Sequence, residues 1–434
     1  MTISNERPDA ANLQAAGRWS DLADRVLAGH RLTAEEGLAV VRSGDEELLD
    51  LLAAAYRIRY RWFGNRVHLN FLINAKCGGC GEDCGYCSQS NVSMAEIPRY
   101  GLIGPDEILD GARQAAQRRS KTYCIVTSGR QPGRQELDLL MDVVPRIKAS
   151  YGLKVCASPG FLTPDDAVRL KAAGLDRVNH NLNTSRRFYP QICTTHCYDD
   201  RLGTLRAVRQ AGMEICSGGI IGMGEEDADV VDLALTLGEL AVEAVPINFF
   251  QPIVGTPLGT GRRTYSVLQG SPHTPCADIR HTDHASMVPG AGDNKNAEVI
   301  LRTSLGTGEE TTVALTKGTV PFSSDENRDS PPLAPFSSDE NRDSPPLVPS
   351  PVPAGAGRLN PRYCLKVLSL VRLANPRCEL RIAAGREMHL GSLQPLGLYP
   401  ANSIFVGDYL TTKGQSPEED FRMIESLGFD VAEG

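Results

Sequence analysis

The sequence lacks any apolar run long enough to span a bilayer, and its polar start, Met1 to Ala10, lacks the apolar core of a secretory signal. A membrane protein is therefore not expected, and a cytoplasmic location is. A positive excess is missing too. The chain has 45 Lys and Arg against 53 Asp and Glu, a formal net charge of -8, whereas a general nucleic-acid binder needs a basic face to neutralise phosphates. A small-molecule substrate fits this balance better. Cysteine is not scarce. Twelve cysteines without an export signal point to metal ligands or buried thiols rather than to a disulfide framework, because the cytosol keeps thiols reduced. At 434 residues the chain is long for one small domain, yet a closed α/β barrel can take up that length.

The pattern along the chain supports that class. Residues 1–64 read as an N-terminal helical extension: Thr33 and Glu36 have capping-box spacing, and a helix-like run from Asp45 to Trp62 ends near Gly64. From Val67 onward short β-rich runs alternate with helical stretches. They centre on Val67–Ile73, Tyr123–Thr127, Lys154–Ala157, Arg177–Leu182, Glu214–Ile220, Val245–Phe250, Glu379–Ile382 and Ser403–Val406. Such alternation predicts a parallel (β/α)8 barrel of the TIM type, split into residues 65–261 and 358–434. Between them, residues 262–357 are rich in Pro, Ser, Gly, Thr and Asp and carry a tandem repeat, Pro321–Leu333, that recurs from Pro335 to Leu347. This insert cannot bury enough apolar surface to order itself and is expected to be a solvated excursion.

Chemistry concentrates first in Cys80-Gly-Glu-Asp-Cys84-Gly-Tyr86-Cys87, directly after the first strand. Three thiolates in one loop leave one iron of a [4Fe–4S] cube without a protein ligand, the open position that a chelating cosubstrate needs. The same residues with a fourth ligand, from Cys77 or a histidine, would make a structural zinc site.

A second set emerges when the strands are aligned. Cys124, Cys156, Cys216 and Arg381 each sit mid-strand, and if all point inward they suit a buried anionic cluster; a lone strand cysteine is otherwise a small buried hydrophobe. In the fourth run Asn179, Asn181 and Asn183 alternate and are expected to share one strand face. Asn248 adds an amide from the sixth run, and Arg201 a cation near a helix start. These groups need partners, supplied either by a polar ligand or by each other in a polar plug. Gly218-Gly219-Ile-Ile-Gly222-Met-Gly224 lacks the Lys-Ser/Thr ending of a phosphate loop. Cys193-Thr-Thr-His196-Cys197 crowds three donors into five residues and is read as no zinc site, as is the histidine-rich stretch around Cys276 within the insert.

In these motifs the chain resembles the biotin synthases of the radical S-adenosylmethionine superfamily. The likeness runs from about Tyr60 to Gly261 and from Leu359 to Val431. It rests on the three-cysteine motif, Asn-His-Asn-Leu-Asn-Thr-Ser from Asn179, Cys-Ser-Gly-Gly-Ile-Ile-Gly-Met-Gly-Glu from Cys216, Gly-Thr-Pro-Leu from Gly255 and Ala-Gly-Arg-Glu from Ala384.

The resemblance implies that Cys80, Cys84 and Cys87 hold a [4Fe–4S] cluster whose free iron chelates S-adenosyl-L-methionine. It implies that Cys124, Cys156, Cys216 and Arg381 hold a [2Fe–2S] cluster. Tyr86, Asn181, Asn183 and Arg201 would contact the cosubstrate, and Asn179, Asn181 and Asn248 the substrate dethiobiotin. A flavodoxin- or ferredoxin-like electron donor and a homodimer are implied as well. Two positions depart from the family: Asn183 is commonly Asp and Cys77 commonly Ser or Thr. A related radical enzyme acting on an amino acid or a hydrogenase-maturation substrate would lack the strand cysteines, and a non-enzymatic metal-binding scaffold would show no dethiobiotin turnover.

Overall fold

The computed structural model describes residues 10–260 and 359–432, with side chains from Gly17; the insert expected at 262–357 lies outside them. Three helices come first: α1 (Ala10–Leu27), α2 (Ala34–Val41) and α3 (Leu48–Phe63). The capping box is formed, with the Glu36 N–H donating to Thr33 Oγ1 at 3.2 Å and the Thr33 N–H to Glu36 Oε2 at 2.9 Å. These helices bury one face each, through Trp19, Leu22, Val40, Leu51 and Ile58. Arg59 ties α3 to the barrel by donating to the carbonyls of Ala401 and Arg66, each at 3.0 Å.

The barrel follows as β1 (Arg66–Lys76), α4 (Pro105–Gln117), β2 (Thr122–Thr127), α5 (Arg134–Tyr151), β3 (Lys154–Ser158), α6 (Pro164–Ala172), β4 (Arg177–Asn179), α7 (Tyr198–Gln210), β5 (Glu214–Cys216), β6 (Gly219–Ile221), α8 (Asp227–Glu239) and β7 (Ala244–Phe249). After the undescribed segment come α9 (Pro361–Ala374), β8 (Glu379–Ile382), α10 (Arg386–His389), α11 (Gln394–Gly397), β9 (Ser403–Phe405), α12 (Pro417–Ser426) and β10 (Asp430–Val431). All strand pairings are parallel, and the ring closes where β9 pairs with β1, His68 opposite Ser403. Counting β5 and β6 as one interrupted stave gives the expected eightfold barrel, with β10 attached outside it to the start of β1.

Two strands differ from expectation. The fourth stops at Asn179 rather than Leu182: the Leu182 N–H turns to the Ser217 hydroxyl at 3.2 Å instead of a ladder carbonyl, and Asn183 beyond it takes a left-handed backbone, φ 70°, which asparagine tolerates better than most residues. The fifth is broken at Ser217-Gly218, beside Pro246 of β7. Proline has no N–H for a ladder, and Gly218 approaches it so closely that a Cβ would lie 1.9 Å from the Pro246 carbonyl oxygen.

Helices α8 and α9 pack against the N-terminal extension. Gly37 permits the closest approach, since a Cβ there would meet Val231 at 2.6 Å. Lys366 of α9 donates to Ser43 O at 2.6 Å and to Asp45 at 3.0 Å. No described helix is long and apolar enough to cross a membrane.

Candidate active site

The loop carrying Cys80, Cys84 and Cys87 leaves the C-terminal end of β1, the face on which barrel enzymes build their sites. It turns through Gly78 and Gly79, both at positive φ, and is pinned by Gln89, whose Oε1 accepts from the Gly78 N–H at 3.0 Å. Two acidic residues between the cysteines dock it on the segment after β4. Asp83 accepts from the N–H groups of Thr194 at 2.9 Å and Thr195 at 3.2 Å. Glu82 meets His196 Nδ1 at 2.6 Å and Arg130 at 2.8 Å, and also accepts from the Thr195 hydroxyl. Burial works against a charge on Glu82, but the hydrogen bonds from His196, Thr195 and Arg130 outweigh it and lower its pKa to about 2. Burial raises the Cys80 thiol and pushes Cys87 up to about 11. Ligation of a metal centre requires thiolates, so uptake of a cluster by these cysteines is coupled to release of their protons.

Deeper in the barrel, Cys124 of β2 and Cys156 of β3 are register partners, and Cys216 closes β5. All three are buried in a small cluster with Ala244, packed by Leu72 and Phe405. The Cys156 thiol hydrogen-bonds those of Cys124 and Cys216; this sharing raises Cys156 and lowers the other two, which Arg381 and Arg177 lower further. Asn179 Nδ2 lies 3.1 Å from Cys216 Sγ. Arg381 is fully buried over the Phe405 ring, and its Nε has no partner among the described residues. Three converging thiols and a buried unsatisfied guanidinium donor are a donor set with room for an anionic cluster, so the residues fit the group expected there.

Beneath them lies a charged layer that the sequence reading missed. Glu379 accepts from Arg381 at 2.6 Å, Arg177 at 3.0 Å and Ser403 at 2.8 Å, and Arg177 also pairs with Glu214 at 2.7 Å. Burial opposes the charge on Glu379, but the two guanidinium groups hold its carboxyl well below the ordinary range. The signal was available in spacing: Glu379 stands two residues before Arg381, and Arg177 two before Asn179, so each pair shares a strand face.

A cavity of about 270 Å³ joins the two cysteine sets. Tyr86 and Cys87 line it together with Cys124, Cys156, Arg381, Asn179, Asn181 and Asn248. Asn181 accepts from the Gly218 N–H at 3.1 Å, and Asn248 bridges Ala384 N–H, at 3.2 Å, and Gly219 O, at 3.3 Å. The three amides of the fourth run do not share one face. Asn183, turned by its positive φ, is absent from the cavity wall and donates to the Tyr86 hydroxyl at 2.7 Å. Arg201, on α7, donates to Asn181 O at 2.9 Å, to the Tyr189 hydroxyl, and meets His196 Nε2 at 3.1 Å. Cys77 is buried at the end of β1, paired through its backbone with Tyr100.

Residues 76–237 match the model of the Radical SAM superfamily, and residues 345–430 that of the Biotin and Thiamin Synthesis associated domain. The chain is 43% identical over 413 residues to the biotin synthase of Geobacillus kaustophilus, covering 95% of this chain and 96% of that one. It is 41% identical to that of Rhodopirellula baltica, with 98% and 94% covered, and 40% identical to that of Bacillus subtilis, with 95% of each covered. Among solved structures, methylornithine synthase superposes with a TM-score of 0.63 at 18% identity, over 95% of this chain and 97% of that one, a likeness of fold alone. With near-full-length relatives at this level of identity, the chain belongs to the biotin synthase family of radical S-adenosylmethionine enzymes.

Proposed function

We propose that this chain converts dethiobiotin to biotin, with Cys80, Cys84 and Cys87 as ligands of a [4Fe–4S] cluster and Cys124, Cys156, Cys216 and Arg381 as ligands of a [2Fe–2S] cluster. One observation carries the reading: a single cavity has Cys87 and Tyr86 in its wall together with Cys124, Cys156 and Arg381. When bound, the first cluster with S-adenosyl-L-methionine supplies a radical that abstracts substrate hydrogen, and the second supplies sulfur. The side chains bind, orient and keep water out. Tyr86 offers its ring to the adenine while its hydroxyl is held by Asn183. Asn181, Asn183 and Arg201 contact the cosubstrate. Asn179, Asn181 and Asn248 hold dethiobiotin, whose polar ureido ring matches their amide donors and acceptors. The apolar wall, including Leu72, Val126, Ile220 and Phe250, excludes competing solvent reactions.

Beyond the site, we carry over a homodimer, a flavodoxin- or ferredoxin-like electron donor and a cytoplasmic location from the family resemblance. Every described cysteine is a free thiol, in keeping with a reducing compartment. The segments 1–64, 65–261, 262–357 and 358–434 are taken as extension, first barrel part, insert and second barrel part.

The test is turnover. Anaerobically reconstituted protein given S-adenosyl-L-methionine, dethiobiotin and a low-potential reductant should yield biotin and 5′-deoxyadenosine. Cosubstrate cleavage without biotin, from protein shown to hold both clusters, would overturn the assignment.

A further inference from the structure

Cys193 belongs to neither proposed cluster set, yet its sulfur stands 3.7 Å from that of Cys84, the middle cysteine of the loop. Both side chains are buried, Cys84 at 7% and Cys193 at 2% exposure. Among the described residues no other sulfur is hydrogen-bonded to Cys84. We propose that Cys193 is the resolving thiol of Cys84: in a chain that holds no [4Fe–4S] cluster, a peroxide joins the two sulfurs in a reversible disulfide. The proposal rests on the reading above only in taking Cys84 as a ligand of that cluster when it is present.

Backbone ties on both sides hold the pair together. The Gly85 N–H donates to Ile192 O at 2.8 Å, so the peptide after Cys84 is fastened to the peptide before Cys193. On the other side, the Asp83 carboxylate accepts from the N–H groups of Thr194 at 2.9 Å and Thr195 at 3.2 Å. The two segments therefore pass each other in opposite directions, with the cysteines facing between the ties. Residues that face each other beside such a peptide bond-to-bond tie in antiparallel segments have Cα atoms about 4.5 Å apart, inside the roughly 4.4–6.8 Å that disulfides span. Bringing the sulfurs from 3.7 Å to the bonded separation of about 2.05 Å then takes side-chain rotation rather than movement of either loop. Cys193 also donates to Asp83 Oδ1 at 3.1 Å, which holds its sulfur beside Cys84.

One peroxide balances the reaction. The Cys84 sulfur, the more exposed of the two, displaces water from hydrogen peroxide and becomes a sulfenic acid. The Cys193 sulfur then attacks it: the S–S bond forms as the S–O bond breaks, and the Cys193 proton leaves with the hydroxyl as a second water. The two sulfurs together lose two electrons, and the peroxide is reduced to water. Without a thiol in contact, the sulfenic acid is open to a second peroxide and to the irreversible sulfinic acid. A compartment that keeps thiols reduced reopens the disulfide by exchange. While it is closed, Cys84 has no thiolate to offer iron, so the oxidised chain cannot rebuild the cubane.

The test maps sulfurs in the full chain. Cluster-free protein is treated with hydrogen peroxide, its remaining thiols are blocked and it is digested, and the linked peptides are sequenced by tandem mass spectrometry. Cys84 linked to Cys193 should be the predominant product, and dithiothreitol should return both thiols and the capacity to take up the cubane. Cys193→Val, shown by circular dichroism to fold, should lose the link and recover less cubane absorbance than the parent treated alike. A parent chain whose Cys84 is linked to Cys80 or Cys87, or whose Cys193 stays a free thiol, overturns the proposal even if Cys193→Val fails to fold. Equal recovery in a folded Cys193→Val chain overturns the resolving role. If the disulfide forms but the oxidised chain still takes up the cubane, Cys84 is not its ligand, and the reading above fails while the pairing stands.

Discussion

Glu379 and Arg381 stand two residues apart on one face of β8 and are joined by a 2.6 Å hydrogen bond wholly inside the barrel. The carboxylate thereby separates two guanidinium groups, those of Arg381 and Arg177, directly below three thiols. Removing one partner from a buried ionic group leaves an uncompensated charge, which costs about 3–5 kcal/mol. Glu379→Gln is thus expected to lower unfolding stability by that order, measured by urea denaturation of the cluster-free chain. Adding Arg381→Met should recover part of the loss, because Glu379 is that guanidinium's only ion-pair partner among the described residues, whereas Arg177 keeps Glu214. A Glu379→Gln chain as stable as the parent would mean the layer is not held by this carboxylate.

Asn183 donates to the Tyr86 hydroxyl at 2.7 Å from a backbone at φ 70°. If these two residues together seat the cosubstrate, Asn183→Ala should raise the KM for S-adenosyl-L-methionine about tenfold, the value of one good hydrogen bond, while changing the KM for dethiobiotin little. Asn183→Asp should restore or tighten cosubstrate binding, since a carboxylate is the stronger acceptor for a ribose hydroxyl. Equal effects of Asn183→Ala on both KM values would remove the distinction between cosubstrate and substrate contacts.

Much of this architecture is legible in the sequence because parallel barrel strands are short, apolar and regularly spaced. Cys124, Cys156, Cys216 and Arg381 could be placed together for that reason: three lie mid-strand and Cys216 ends β5 at the break in its stave, and strand registers bring them to similar depth. The break at Gly218 was not legible, since it depends on Pro246 arriving beside it from the next stave. Asn183 was misread because alternation holds only while the chain remains extended. Cys84 and Cys193 are 109 residues apart, and their meeting depends on Glu82 and Asp83 docking one loop on another, which no local pattern encodes.

That docking has a pH signature. Glu82 has a folded pKa of about 2 against an ordinary 4.5, so its ionised form is favoured in the folded chain. Its contribution to stability is fully present above pH 4.5 and is lost as the pH falls from there toward 2. Urea midpoints measured across that range should fall for the parent and be flatter for Glu82→Gln, with the two curves parallel near pH 5, below the range where His196, whose pKa the Glu82 hydrogen bond helps raise, loses its proton. Identical slopes below pH 4.5 would show that the loop is held by other contacts.

One cavity reaches Cys87 of the first proposed ligand set and Cys124, Cys156 and Arg381 of the second, and Mössbauer spectroscopy of anaerobically reconstituted protein tests the two-cluster assignment most directly. The parent chain should show both [4Fe–4S] and [2Fe–2S] signatures. Cys84→Ala should keep the [2Fe–2S] signal, lose the cubane and produce no 5′-deoxyadenosine. Cys156→Ala should keep the cubane and some cosubstrate cleavage but make no biotin. A Cys156→Ala protein that retains the [2Fe–2S] signal and forms biotin at the parent yield, or a Cys84→Ala protein that retains the cubane, would contradict the account.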